Sequence, residues 1–128
     1  MRTEYTLAVL DKDKAAAKRY LRSIGEKRPQ PQHPTILVKR GKSYVGCLAT
    51  TYAGERIVVH PFHCDLEHPV RVMVKMLDMY ENLLIHAGVQ EYLLVVKAPD
   101  TRWRGILSKL GYTLYDTDEE RTLYRRAF

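Results

Sequence analysis

The sequence predicts an α/β fold built on one mixed sheet, and three observations carry that prediction. Residues 56–62 (RIVVHPF) and 91–96 (EYLLVV) are apolar strand-length runs, and a helical pattern from Pro69 to Gly88 separates them. Only a crossover of a dozen or more residues joins parallel strands, so these two runs are predicted to lie side by side and parallel. Upstream, residues 35–39 and 44–52 are joined by Arg40-Gly41-Lys42-Ser43, and Ala53-Gly54 turns into Arg56. Strand-length runs with glycine turns at that spacing form an antiparallel meander. Downstream, residues 112–115 and 121–125 flank the acidic loop 116–120 and close the chain as two further strands.

The other elements fall between these. Residues 5–10 make a first strand. The helix after it sets Ala17, Leu21 and Ile24 on one face, with Ala16 and Tyr20 beside them, and Lys14, Lys18 and Arg22 on another. Asp11 is its candidate N-cap, because a carboxylate accepts from the orphan N–H groups of a first turn. Gly25 stops it. Residues 26–34 hold three prolines and read as a loop. In the short helix, residues 101–110, Trp103, Ile106, Leu107 and Leu110 recur at core spacing. Asp100 or Thr101 is its expected cap, and Gly111 closes it. The predicted order is β-α-β-β-β-α-β-α-β-β in a single domain over residues 1–128.

The long helix has an unusual composition. Arg71, Lys75, Asp78, Asn82 and His86 make one polar stripe. Val70, Met73, Val74, Leu77, Tyr80 and Leu84 make an apolar stripe, and Val72, Met76, Met79 and Leu83 a second beside it. A helix lying on one sheet needs only about a third of its surface apolar. The stretch from Val70 to Ala87 is therefore either buried deep in its own domain or meets a protein partner, a second copy included.

A chain of 128 residues builds one domain with a real core. No apolar run reaches the roughly 18 residues of a membrane helix. Met1-Arg2-Thr3-Glu4 has no apolar signal region behind it, so a cytoplasmic location is expected. Cys47 and Cys64 fall in different elements and read as free thiols. The net charge of +6 is uneven: residues 1–60 carry twelve Lys/Arg against five Asp/Glu, and residues 61–128 nine against ten. A basic half can touch nucleic acid, an acidic protein surface or an anionic ligand. It lacks the interleaved aromatics that stack single-stranded bases, so any nucleic-acid binding is expected to be weak.

Two local motifs carry a resemblance. Val58-Val59-His60-Pro61 resembles the Val-x-Pro end of the central strand of the GNAT N-acetyltransferase superfamily. Leu107-Ser108-Lys109-Leu110-Gly111-Tyr112 resembles that family's Tyr-x-x-x-Gly-Phe ending of its last helix. With the element order, the resemblance covers the chain from end to end and implies a GNAT-like fold. In the family, a Gln/Arg-x-x-Gly-x-Gly/Ala turn holds the pyrophosphate of acetyl-CoA on backbone N–H groups. Here Phe62-His63-Cys64-Asp65-Leu66-Glu67-His68-Pro69 stands in that place without a glycine. Pro69 removes one donor. Asp65 and Glu67 put carboxylates where a polyanion sits, and they are expected to satisfy the helix end themselves. Leu107 stands where the family has a tyrosine acid.

With these departures the resemblance implies a GNAT-fold protein that has lost acetyl transfer, with no cofactor and no catalytic residue. It is similar to the small GNAT-like internal virion proteins of short-tailed bacteriophages, which implies a structural or binding role and a virion location. The alternative is an atypical acetyl-CoA-dependent N-acyltransferase, in which Val59, Phe62, His63 and Arg71 are the cofactor-binding positions. Two other chemistries are readable in the same turn. His60, His63, Cys64 and His68 are candidate zinc ligands by residue type, although their spacing matches no named metal motif. Cys64 with His63 or His68 is a candidate nucleophile pair without a third partner.

Overall fold

The computed structural model describes residues 2–97 and 101–128. Ten elements follow one another in the predicted order: β1 (Thr3–Leu7), α1 (Asp11–Ser23), β2 (Gln32–Arg40), β3 (Ser43–Ala53), β4 (Arg56–Cys64), α2 (Val70–His86), β5 (Glu91–Lys97), α3 (Thr101–Lys109), β6 (Thr113–Thr117) and β7 (Arg121–Ala127). The strands form one sheet in the order β1-β2-β3-β4-β5-β7-β6. β4 and β5 are its parallel pair, with Val58 beside Leu93 and Val59 beside Leu94. The other pairs are antiparallel.

Helices cover both faces of the sheet, and the strand alternation decides which. Ile36, Val38, Leu48 and Val59 point to the side of α2 and α3. Leu37, Cys47 and Ala49 point to the side of α1, against Ala16, Ala17, Tyr20 and Leu21. A strand buried on both faces reads as a continuous apolar run, as residues 36–38 do. The apolar excess of α2 goes largely into this core: Val72, Met73, Met76, Leu77, Tyr80 and Leu84 are buried, and Val74 and Met79 pack against them. Its polar stripe faces outward, and Ile85 is 50% exposed. Trp103 and Leu107 of α3 are buried in the same core. Among the described residues no helix is long and apolar enough to cross a membrane.

Several boundaries differ from the sequence reading; β1, expected over residues 5–10, spans Thr3–Leu7, and β6 and β7 each run two residues further than expected. Leu10, not Asp11, is the N-cap of α1, and no side chain caps it. Asp11 and Asp13 lie inside the first turn, where the helix dipole favours their charge without a capping bond. β2 begins at Gln32, inside the expected loop, because Thr50 pairs with Gln32 across a register shift and its hydroxyl donates to the Pro34 carbonyl. β4 runs on to Cys64, so His63 and Cys64 belong to a strand and not to a turn. Gly46 permits this extension: a Cβ there would lie 3.1 Å from the His63 carbonyl oxygen. The expected cap of α3 by Asp100 or the Thr101 side chain falls outside what the structure describes.

Candidate functional site

The site begins with a defect in β4. The β3–β4 ladder pairs Thr50 with Val59 and Leu48 with Phe62, so one extra residue is accommodated at His60-Pro61. Such a bulge bends its strand, and proline, which lacks an N–H, is tolerated there. Two consequences follow. β4 and β5 pair only as far as Val59 and Leu94, although β4 continues to Cys64 and β5 to Lys97, so the parallel strands part. The side-chain alternation also inverts. Val59 packs with α2, and after the bulge Phe62 and Cys64 do so too. His60 and His63 face α1, His60 beside Glu26 and His63 beside Tyr20.

Cavities flank the gap on both faces of the sheet. On the α1 face a cavity of about 830 Å³ is bounded by Ile24, Glu26, His60, His63, Val95 and the β6–β7 residues Glu119, Glu120 and Arg121. On the α2 face a cavity of about 170 Å³ is bounded by Cys64, Pro69, Met73, Val96 and Trp103. Phe62, His63 and Lys97 line both. The arrangement is one gap with two mouths, one wide and carrying three carboxylates beside Lys97 and Arg121, the other narrow.

Two imidazole–carboxylate pairs stand at the wide mouth. His60 Nε2 lies 3.3 Å from Glu26 Oε1. His63 Nε2 lies 2.6 Å from Asp65 Oδ1, and the Tyr20 hydroxyl donates to Asp65 Oδ2 at 2.7 Å. Burial pushes Asp65 up, but the bonds from Tyr20 and His63 outweigh it and hold the carboxyl below the usual carboxylate range. Burial, then the bond to Asp65, pushes the Tyr20 phenol up.

The expected closure of the α2 end by Asp65 and Glu67 is overturned. Pro69 is the N-cap, no side chain among the described residues caps the helix, and its first turn holds no acid. Asp65 is turned away, toward α1, by Tyr20 and His63. The first-turn N–H groups and the positive end of the helix dipole therefore have no carboxylate of their own. The parted parallel strands and the uncapped helix end beside them fit an acyl-CoA. The fit is atypical, since the turn has no glycine and Trp103, packed on Phe62 at 5.9 Å between ring centres, narrows the α2 side.

The predicted site residues are placed as follows. Val59 is fully buried at the apex of the gap. Phe62 and His63 stand in the gap. Arg71 is exposed and lies apart from it, in a separate cavity of about 640 Å³ with Tyr5, Arg40 and Lys75. The candidate zinc ligands His60, His63, Cys64 and His68 do not converge; among the described residues no three His, Cys, Asp or Glu side chains come together at metal-binding distance. Strand alternation puts His63 and Cys64 on opposite faces, and the bulge brings His60 to the His63 side, away from Cys64. Cys64 and His63 face opposite ways and form no nucleophile pair, and burial pushes the Cys64 thiol up when a nucleophile needs it down. Leu107 is fully buried, and the nearby Tyr112 hydroxyl bonds to Tyr92 and Glu81 with its phenol pushed up by burial, so neither is an acid for the gap. Sequence reasoning missed Glu26, Lys97 and the acidic pair Glu119 and Glu120.

No protein-family model matches the chain, and no curated protein does. Solved structures match its fold. Naa50 of Arabidopsis thaliana, in complex with the bisubstrate analogue CoA-Ac-MVNAL, superposes with a TM-score of 0.74 at 13% identity over 100% of both chains. The ribosomal-protein-S18-alanine N-acetyltransferase from Escherichia coli gives 0.68 at 12% identity over 98% of this chain and 94% of that one. The PaiA N-acetyltransferase from Thermoplasma acidophilum, in complex with coenzyme A, gives 0.61 at 14% identity; 73% of this chain matches, spanning 60% of the enzyme. The chain has the fold of the GNAT N-acetyltransferases.

Proposed function

We propose that the protein is an N-acyltransferase that passes an acyl group from an acyl-CoA to an amine. The observation that carries the reading is the gap between β4 and β5, with a cavity on each face and the His60–Glu26 pair at the wider mouth. One support for a purely structural subunit, a helix end closed by its own carboxylates, is absent, while the missing glycine turn and Leu107 in place of a tyrosine acid remain. The matched structures add to the case, since one holds a CoA-based bisubstrate analogue and another coenzyme A.

Val59, Phe62, Trp103 and the first turn of α2 would hold the acyl-CoA, and bound there it supplies an activated acyl thioester at the gap. The rest of the chemistry belongs to the chain. An amine is nucleophilic only after losing its proton, and an imidazole is the side chain best matched to that transfer near neutral pH. With Nε2 of His60 turned to Glu26, Nδ1 is the nitrogen left to accept the proton, and Glu26 stabilises the imidazolium that forms. Glu26, Glu119 and Glu120 outnumber Lys97 and Arg121 at the mouth, and the excess negative charge attracts a cationic amine. The matched Naa50 carries a peptide-bearing analogue and the Escherichia coli enzyme acts on a protein alanine, which supports a peptide α-amine as acceptor.

The test is mass spectrometry of a panel of peptides and small amines incubated with acetyl-CoA. Acetylated product is expected, and His60→Ala is expected to slow its formation by about 10²–10⁴, the usual range for a general base. Absence of both acetyl-CoA binding and product across the panel removes the reading.

A further inference from the structure

We propose that Arg40, Arg71 and Lys75 form a phosphate-binding site that takes over the task of the missing glycine turn. The inference rests on the acyl-CoA reading above and adds the place where the phosphates of the coenzyme lie. The three side chains come from β2 and from the first two turns of α2, and they line one cavity with Thr3 and Tyr5. Arg40 reaches Thr3 Oγ1 with its Nε at 3.1 Å, which fixes the guanidinium at the start of β1. Lys75 holds its Nζ 4.8 Å from the centre of the Tyr5 ring. Burial, then Cys64, pushes the Tyr5 phenol up, and Arg40 and Arg71, which line the same cavity, act on it in the opposite direction.

The charges in this cavity do not cancel. Asp78 and Glu81 also line it. Glu81 is engaged, accepting from Arg126 at 2.9 Å and from the Tyr112 hydroxyl at 2.8 Å. Among the described residues no carboxylate pairs with Arg40, Arg71 or Lys75. Three cations gathered around one concave surface repel one another unless an anion joins them, and such a surface concentrates anions. Guanidinium groups bind phosphate by paired charge-assisted hydrogen bonds, and an ammonium adds a point charge. The second residue of α2 is Arg71, so the uncapped helix end adds its dipole to the same region. A glycine turn offers backbone N–H groups to a phosphate. This chain offers side-chain cations a few residues away instead.

The experiment is calorimetric titration of the full chain with coenzyme A, dephospho-coenzyme A and inorganic pyrophosphate, at low and at physiological salt. The variants are Arg40→Glu, Lys75→Glu and the milder Arg71→Gln, with Lys18→Glu on the opposite face of the sheet as a control of equal charge change. Melting curves exclude any variant that unfolds, and the three sites are independent enough for one to suffice. Arg40→Glu and Lys75→Glu are expected to weaken coenzyme A and pyrophosphate about tenfold or more, the loss of one charge-assisted contact. Lys18→Glu is expected to leave both unchanged. If coenzyme A binds and these variants match the control, the site is wrong while the acyltransferase reading stands. If pyrophosphate binds through the three cations but coenzyme A does not, the cations hold phosphate while the acyltransferase reading and the proposed use of the site both fall. Displacement of coenzyme A by an equal concentration of a short DNA duplex would assign the cations to nucleic acid and overturn the proposal.

Discussion

Asp65 joins α1 to the strand that carries the gap, through Tyr20 on one oxygen and His63 on the other. Its folded pKa lies below the ordinary value of 3.8. A group whose pKa is depressed on folding contributes stability above its unfolded pKa, and loses that contribution as the pH falls through the folded value. Asp65→Asn is therefore expected to lower the melting temperature at pH 7. The difference from wild type should shrink once the pH drops below about 3.8. A difference that stays constant over that range contradicts the charged bonding seen here. His60 and Glu26 show what a sequence hides at this scale. They are 34 positions apart, in a loop and a strand, and no local pattern links them. His60 stood out as a site residue only as a metal candidate, through its neighbours in sequence, and of these Cys64 proves to face the other way.

At the scale of the element, the βαβ unit was legible because both strands are apolar runs and the helix between them carries its polar side chains on one stripe. Period and length are strong signals. The bulge at His60-Pro61 was not legible as a reversal of faces, since proline marks an edge or an irregularity without saying which. The end of α2 was misread because Asp65 and Glu67 are near it in sequence; the competing bonds from α1 that turn Asp65 away are long-range. α3 behaves as its periodicity predicts. Leu107 is fully buried against Trp103 and Tyr112 in the common core, so Leu107→Ala is expected to cost about 2–5 kcal/mol. An unchanged urea midpoint in that variant contradicts the packing. Gly111 closes the same helix with φ +95°, so the glycine is required by conformation; the nearest atoms to a Cβ there belong to the flexible end of Arg126, which can move aside.

The whole molecule carries a charge of +6, and its basic first half spreads over β1, α1, β2 and β3. Nucleic-acid binding through such a surface is sequence-independent and falls steeply with salt. We expect a fluorescent duplex to bind at low salt and to be released at physiological salt; retention there would give nucleic acid a leading role. The fold itself was legible at this scale, because element order, helix length and two end motifs agree. The function was not, because the gap is made by two strands that part, and parting leaves no mark in either strand's composition. That gap is also where the account is most exposed to test. A calorimetric titration of the wild-type protein with acetyl-CoA is the direct measurement: a saturable one-to-one isotherm, competed by free coenzyme A, is the predicted result, and no heat of binding at millimolar ligand would contradict the account.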